Sequence, residues 1–230
     1  GREPVTADLG YHEAGIKLEH GFVHTDERLH TGVDNIYAVG DIVPGPQLAH
    51  RGFAQGVFVA EEIAGLNPSP VLVSGIPRVT YAEPEVASVG LTEAKARQLH
   101  GDQVRVAEFN LAANGKSKIL ATAGLVKVVS LTDGPVVGIH MIGARVGELI
   151  GEAQLIVNWK VRPDNVARLI HAHPTQGDSF RRLERSKNKL PTISRQSTTT
   201  GHSHDNQGLI PASSAAACKL KNERANAHPA

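Results

Sequence analysis

The amino-acid sequence predicts an α/β segment, then an antiparallel α+β domain, then a disordered tail. Short apolar segments alternate with turns up to about residue 70, and regular strand and helix patterns run from 71 to about 176. From about residue 180 the apolar periodicity ends and polar, low-complexity sequence begins. Such a tail buries too little surface to offset its chain entropy. We therefore predict three regions, at 1–70, 71–185 and 186–230.

Composition narrows the class of protein before any motif is considered. Of the 230 residues 40% are hydrophobic and 20% charged, as in ordinary globular domains, and the formal net charge is +1. No stripe of Lys and Arg interleaves with aromatics, so no nucleic-acid partner is expected. No apolar run reaches the length of about 18 residues that a membrane span needs, and no signal peptide opens the chain. The single cysteine, Cys218, cannot form an intrachain disulfide, which fits a reducing, cytoplasmic setting.

The first region predicts one strand and one helix. The apolar run Val33–Val39 predicts a buried strand that stops at Gly40-Asp41. Two prolines then forbid helix, and a helical pattern runs from Leu48 to Ala64 until Gly65 stops it. Small residues one turn apart on this helix form a face suited to close approach by another backbone, namely Gly52, Gly56 and Ala60.

The second region predicts an antiparallel sheet with separate helices. Thr132-Asp133-Gly134-Pro135 is a hairpin turn, because Asp-Gly tolerates positive φ. Helices are predicted from the cap Thr92 to Gly101, from Arg145 to Trp159 and from Pro163 to Ile170. The predicted strands are Ile76–Tyr81, Val86–Val89, Val104–Leu111, Leu125–Leu131 and Val136–Ile142.

A first candidate site lies between the predicted strand end and the following helix. Gly40 allows a ligand to approach the backbone, and the Asp41 carboxylate can accept from sugar-like hydroxyls. Leu48, Ala49 and His50 begin the helix, whose positive end holds a phosphate or a partly anionic carbonyl. Together they form a clamp for one extended cofactor. The alternative is a turn aspartate that caps the next segment, and spacing alone gives the His50 side chain no chemical role.

A second candidate site is the loop His171-Ala172-His173-Pro174-Thr175. Pro174 biases His173 towards an extended conformation and so presents a fixed imidazole, which suits general acid–base work. Asp178 could hold one ring nitrogen and fix the tautomer. Two histidines without a third nearby ligand make a poor metal site, so no metal is expected. The alternative is a loop histidine with satisfied hydrogen bonds.

These motifs, in this order, resemble the dihydrolipoyl dehydrogenases, which are pyridine nucleotide–disulfide oxidoreductases. The opening Gly1-Arg2-Glu3-Pro4 is similar to the end of that family's nicotinamide-binding domain, and the Leu-Ala-His step and His-Ala-His-Pro-Thr loop resemble the lipoamide enzyme more than glutathione or mercuric reductases. The segments that carry the resemblance are Thr31–Gly56, Glu83–Gly90, His140–Gly143, Gly147–Ile150 and His171–Thr175.

The resemblance implies both a fold and an activity. It implies the end of FAD- and NAD-binding domains up to residue 70, followed by an interface domain that makes a homodimer. Asp41 would bind the ribityl or ribose part of FAD, and backbone groups of Leu48, Ala49 and His50 would face the flavin's pyrimidine edge. His173 would act across the dimer as general base for dihydrolipoyl thiols, and the hydride would pass through FAD to NAD. The expected partners are lipoyl domains of 2-oxoacid dehydrogenase complexes.

The sequence also departs from this family. The redox cysteine pair and the glycine fingerprints are not in these 230 residues, so we expect no turnover from the isolated polypeptide. The family has Glu where this chain has Asp178, whose shorter side chain reaches less far. The resemblance is expected to end after Gln176, and our hypothesis is a frameshifted tail. Two rivals stay open: a non-catalytic dimerisation module, and a glutathione-reductase-like enzyme.

Overall fold

The computed structural model describes residues 2–182, so the predicted tail, with Cys218, lies outside the described residues. The strands are β1 Leu18–Glu19, β2 Phe22–Val23, β3 Arg78–Thr80, β4 Glu85–Gly90, β5 Val104–Asn110, β6 Gly124–Leu131 and β7 Val136–Gly143. The helices are α1 Ala49–Ile63, α2 Glu93–His100, α3 Gly115–Ile119, α4 Val146–Asn158 and α5 Pro163–Ala167. Short 3₁₀ turns occupy Gly40–Ile42, Val73–Gly75, Gly101–Gln103, Leu111–Ala113 and Gly177–Arg182.

The second region is an antiparallel α+β domain, as predicted. Its five strands pair in the order β3-β4-β7-β6-β5, with every pairing antiparallel. The hairpin between β6 and β7 turns at Asp133, whose φ is 51°. Helix α4 packs against β4 and β7, and its apolar stripe joins the main core, including Val146, Ile150, Ala153 and Ile156. Burial of this stripe against the sheet contributes hydrophobic stabilisation to the domain.

The boundaries of α1 and α2 agree with the local signals that predicted them. The Thr92 hydroxyl accepts from the Lys95 amide at 3.2 Å and so caps α2. Helix α1 begins and ends within one residue of the prediction. At its carboxyl end the Gly65 amide donates to Glu62 at 2.9 Å and the Leu66 amide to Glu61 at 3.0 Å. These two bonds form a Schellman motif, which needs the positive φ of 74° that Gly65 adopts.

The strand predicted at Val33–Val39 is wrong. Only an isolated bridge between His30 and Tyr37 occurs there. A strand needs hydrogen-bonded neighbours along its length, and the bonds from this run to Leu29 and Thr31 only flank that one bridge. The apolar residues instead form a small core in which Ile16, Val23, Ala38 and Val43 are buried.

Smaller differences from the prediction occur at one helix end and in three short elements. Helix α5 ends at Ala167 rather than Ile170, whose side chain is 99% exposed. Neither the β1–β2 hairpin nor α3 was predicted, since both are too short to show periodicity. Phe180, near the predicted end of the ordered pattern, is only 1% exposed and belongs to the main core.

Candidate functional site

The backbone at Gly40 lies directly against α1. Gly40 has φ of 78°, and its amide donates to Oε1 of the buried Gln55 at 2.8 Å. A Cβ added to Gly52 would lie 3.5 Å from the Gly40 Cα. The close approach of another backbone, predicted for the small-residue face of α1, therefore occurs at Gly52, where the Gly40 backbone packs against the helix. At Gly56 a Cβ would meet no atom within 4 Å apart from its chain neighbours and the nearby backbone of α1 itself.

The loop between Asp41 and α1 is held by Arg51, which is only 3% exposed. Its guanidinium donates to the carbonyls of Pro46 at 2.9 Å, Pro44 at 2.5 Å and Val43 at 3.5 Å. Burial lowers the pKa of Arg51, and the negative charge of Asp41 opposes that shift. Arg51 therefore fixes the path of the chain from the candidate carboxylate to the candidate helix end.

The amino end of α1 opens onto a cavity of about 930 Å³. Leu48 is the N-cap residue and has no side-chain capping bond, so the first amides of the helix have no carbonyl from a preceding turn. Leu48, Ala49 and His50 all line the cavity, and the opposite wall includes Pro77 and Tyr81. The His50 ring spans to that wall, with Nε2 2.8 Å from the Pro77 carbonyl.

The predicted residues of this first site divide between two places: Leu48, Ala49 and His50 line the cavity, whereas the exposed Asp41 is not part of its lining and lies at the other end of the loop that Arg51 holds. Carboxylates accept hydrogen bonds from hydroxyls, and a helix amino terminus favours negative charge. The arrangement can hold a ligand that carries hydroxyls at one part and electron-rich oxygen or nitrogen at another.

The second site presents His173 on the surface with a buried acid beneath it. The His173 side chain is 69% exposed, and its Nδ1 lies 3.8 Å from Oδ2 of Asp178, whose side chain is 3% exposed. The structure thus brings the predicted pair together at ion-pair distance. A hydrogen bond would need about 2.7–3.2 Å. The Thr175 hydroxyl donates to the Ala172 carbonyl at 2.7 Å and tightens the loop around Pro174.

The other histidine of the motif has a different environment. Only 11% of the His171 side chain is exposed, and its Nε2 lies 2.8 Å from Oε1 of Glu152 on α4. Its buried Nδ1 has no hydrogen-bond partner within the described part of the chain. His171 therefore anchors the loop to α4, whereas His173 faces outward. Among residues 2–182 no cluster of three or more His, Cys, Asp or Glu is placed to hold a metal ion.

Sequence reasoning missed four residues that build these sites. Arg51 and Gln55 on α1 hold the first, and Asn114 and Glu152 hold the loop of the second. Asn114 carried a usable signal, since asparagine is a preferred N-cap residue. The other three contact partners that sequence spacing does not reveal.

No helix in residues 2–182 has both the length and the apolar character needed to cross a membrane.

Two family models match the chain. Residues 1–56 match pyridine nucleotide-disulphide oxidoreductase, and residues 76–183 match the pyridine nucleotide-disulphide oxidoreductase dimerisation domain. The second match continues past Gln176, where the resemblance was expected to end, and includes the buried Phe180.

Curated relatives of similar sequence are much longer than this chain. A dihydrolipoyl dehydrogenase of Bacillus subtilis is 42% identical over 181 residues, which cover 77% of this chain and 38% of that protein. A mitochondrial dihydrolipoyl dehydrogenase of Canis lupus familiaris is 39% identical over 185 residues, covering 79% of this chain and 36% of that protein. The chain therefore spans less than half the length of these relatives.

Solved structures have the same fold. The HOCl-induced flavoprotein disulfide reductase RclA from Escherichia coli matches with a TM-score of 0.71 and 26% identity, covering 80% of this chain and 43% of that one. LpdA from Mycobacterium tuberculosis matches with a TM-score of 0.75 and 24% identity, over 82% of this chain and 41% of that one.

Proposed function

Since the chain belongs to the pyridine nucleotide-disulphide oxidoreductase family, we propose that it works as the carboxyl-terminal part of a dihydrolipoyl dehydrogenase. The proposed reaction oxidises protein-bound dihydrolipoyl groups with FAD and NAD. The chain spans 38% of its Bacillus subtilis relative, so this activity is proposed for a complete enzyme that contains these residues. The exposed His173 above the buried Asp178 carries the proposal.

A flavin fits the residues at the amino end of α1. When bound, FAD would supply the hydride-transfer chemistry between a dithiol and NAD. The Asp41 carboxylate would accept from a ribityl or ribose hydroxyl. The amides of Leu48, Ala49 and His50 would donate to the electron-rich pyrimidine edge, aided by the helix dipole. Gly40 has no side chain, so its backbone leaves room for the ligand to approach.

His173 would hold and move the proton of the reacting thiol. Its mostly exposed ring can reach a substrate, whereas the bonded His171 cannot turn outward without losing its Glu152 contact. An imidazole titrates near neutrality, so it can take a thiol proton as general base. The imidazolium then stabilises the thiolate, because an opposite charge favours the ionised form. The Asp178 carboxylate would in turn stabilise the imidazolium.

We propose a cytoplasmic homodimer in which residues 71–185 form the interface and His173 serves the partner's flavin site. The outer face of the sheet supports self-association, because Val86 and Ile142 are cross-strand neighbours that remain 42% and 40% exposed. Lipoyl domains of 2-oxoacid dehydrogenase complexes are the proposed protein partners.

The test is a chimaera in which residues 1–182 replace the matching segment of the Bacillus subtilis dihydrolipoyl dehydrogenase. We expect NAD reduction by dihydrolipoamide, and we expect H173Q to lower kcat by at least about 100-fold, the usual contribution of general acid–base catalysis. H12Q, at an exposed histidine of the first region, is the matched control. Unchanged turnover in H173Q contradicts the proposed role of His173.

Assays on the same chimaera distinguish two rival functions from the proposed one. The similarity to a flavoprotein disulfide reductase favours testing glutathione disulfide beside dihydrolipoamide, and a preference for glutathione disulfide would reassign the substrate. The exposed Val86–Ile142 pair also suits a non-catalytic dimerisation module. That alternative predicts a native chain that self-associates, and a chimaera that binds FAD but has no turnover.

A further inference from the structure

Asn114 connects the start of α3 to the histidine loop. Its side chain is buried, with 1% exposure, and its Oδ1 accepts from the amides of Lys116 at 2.8 Å and Ser117 at 3.2 Å. Its Nδ2 donates to the Thr175 carbonyl at 3.0 Å, across 61 residues of sequence. One amide group thus caps a helix and binds the backbone two residues after His173.

The surrounding contacts place the imidazole against the same turn. A Cβ added to Gly115 would lie 3.3 Å from Cε1 of His173, so the ring packs beside the first residue of α3. Gln176, three residues after His173, is buried. Its Nε2 lies 3.5 Å from Oγ of the fully buried Ser117. Contacts with Asn114, Gly115 and Ser117, at the start of α3, therefore hold the loop and the ring in place.

We propose that Asn114 is a positioning residue for His173, which sets the height and direction of the imidazole by fixing the Thr175 carbonyl. This inference rests on the proposed function, in which the ring must meet a thiol. An amide is suited to the position because it accepts and donates at once. An ionised carboxylate keeps both capping bonds but cannot donate to Thr175, and it would repel that carbonyl.

The substitution N114D separates capping from positioning, because aspartate is as good an N-cap residue as asparagine. N110D is the matched control: Asn110 caps the neighbouring 3₁₀ turn by accepting from Ala112 at 2.9 Å, on the exposed side. Both are made in the full 230-residue chain. The readout is the pair of ring-nitrogen chemical shifts of His173, with those of His140, whose Nε2 lies 2.9 Å from the Leu91 carbonyl, as a reporter of the sheet.

We expect the His173 ring-nitrogen chemical shifts to differ from their native values in N114D, while the His140 shifts stay unchanged. N110D should change neither pair of shifts. N114S, an uncharged cap that is too short to reach Thr175, should repeat the effect. Native His173 shifts in both Asn114 variants would overturn the inference.

Turnover in the chimaera separates this inference from the proposed function. We expect N114S to lower kcat by about 10- to 100-fold, the scale of a misplaced catalytic group, with little change in KM. If the His173 shifts move in the Asn114 variants but H173Q retains full turnover, the positioning role stands and the proposed function fails. If H173Q is inactive while N114S has native shifts and native kcat, only the positioning role fails.

Discussion

Nδ1 of His173 lies 3.8 Å from Oδ2 of Asp178, so a buried carboxylate sits under an exposed imidazole without reaching hydrogen-bond distance. The asymmetry has a functional meaning in the proposed reaction. The acid is buried, whereas the ring is open to a substrate, and the attraction between them grows when the ring is protonated.

We predict that D178N lowers kcat of the chimaera by about 10-fold or more. Two unit charges at about 4 Å attract by about 1 kcal/mol in bulk water and about 4 kcal/mol near a protein surface. The amide keeps the size of the side chain but removes this attraction. Steady-state kinetics with dihydrolipoamide measure the effect, with D164N at a surface acid as control. Equal turnover in D178N and D164N would show that the Asp178 charge does not act on His173.

We predict that R51M lowers the free energy of unfolding by about 2 kcal/mol or more. Methionine fills much of the same space but removes the charged donor of the bonds to the carbonyls of Pro44 and Pro46, and a hydrogen bond to a charged group contributes about 1.5–3 kcal/mol. Urea unfolding of the full chain measures the change. The control is R97M, which removes an exposed ion pair with Glu93 and should cost under about 1 kcal/mol. Similar losses of unfolding free energy in the two variants would contradict a special role for the bonds from Arg51 to the loop carbonyls.

We predict opposite effects for two glycine-to-alanine substitutions. At Gly90 the φ is 83° and a Cβ would lie 2.3 Å from the Val137 carbonyl, so G90A must displace backbone within the sheet. It should cost about 3 kcal/mol or more, the range of severe core substitutions. At Gly151, inside α4, a Cβ meets open space, so G151A should stabilise by about 0.5–1 kcal/mol. Denaturant midpoints measure both, and a stable G90A would contradict the close approach of β4 and β7.

We predict that acid destabilises the native chain partly through Glu62. A hydrogen bond from Arg28 lowers the pKa of Glu62 below its ordinary value of 4.5. A depressed folded-state pKa contributes stability above the unfolded-state pKa, and that contribution is lost as the pH falls through the folded-state pKa. E62Q should therefore narrow the difference in Tm between pH 7 and pH 3. E19Q, at an exposed residue of β1, is the control, and an equal difference in E62Q and native protein would contradict the prediction.

Local signals were sufficient where the structure depends on neighbours in sequence. The cap at Thr92, the Asp133 turn and the end of α1 at Gly65 all satisfy backbone groups within a few residues, so their geometry could be predicted. The Val33–Val39 run failed for the opposite reason. Its apolar side chains indicated a buried strand, but a strand is completed by partners that the run itself does not encode.

In the candidate site, too, residues close in sequence could be predicted and residues from distant elements could not. His173 and Asp178 could be predicted because five residues separate them in one loop. The groups that hold the loop, Asn114 and Glu152, come from other elements, and no periodicity connects them to it. Arg51 could not be predicted as a structural residue, because a charged side chain near a helix start is usually solvated.

Phe180, two residues after Asp178, is buried in the main core with Val166, which precedes the loop. The histidine loop is thus joined at both ends to residues of the main core. In the proposed function, a base carried on a segment anchored in this way gains accuracy at the expense of adaptability, and the enzyme would accommodate substrates of different shape poorly.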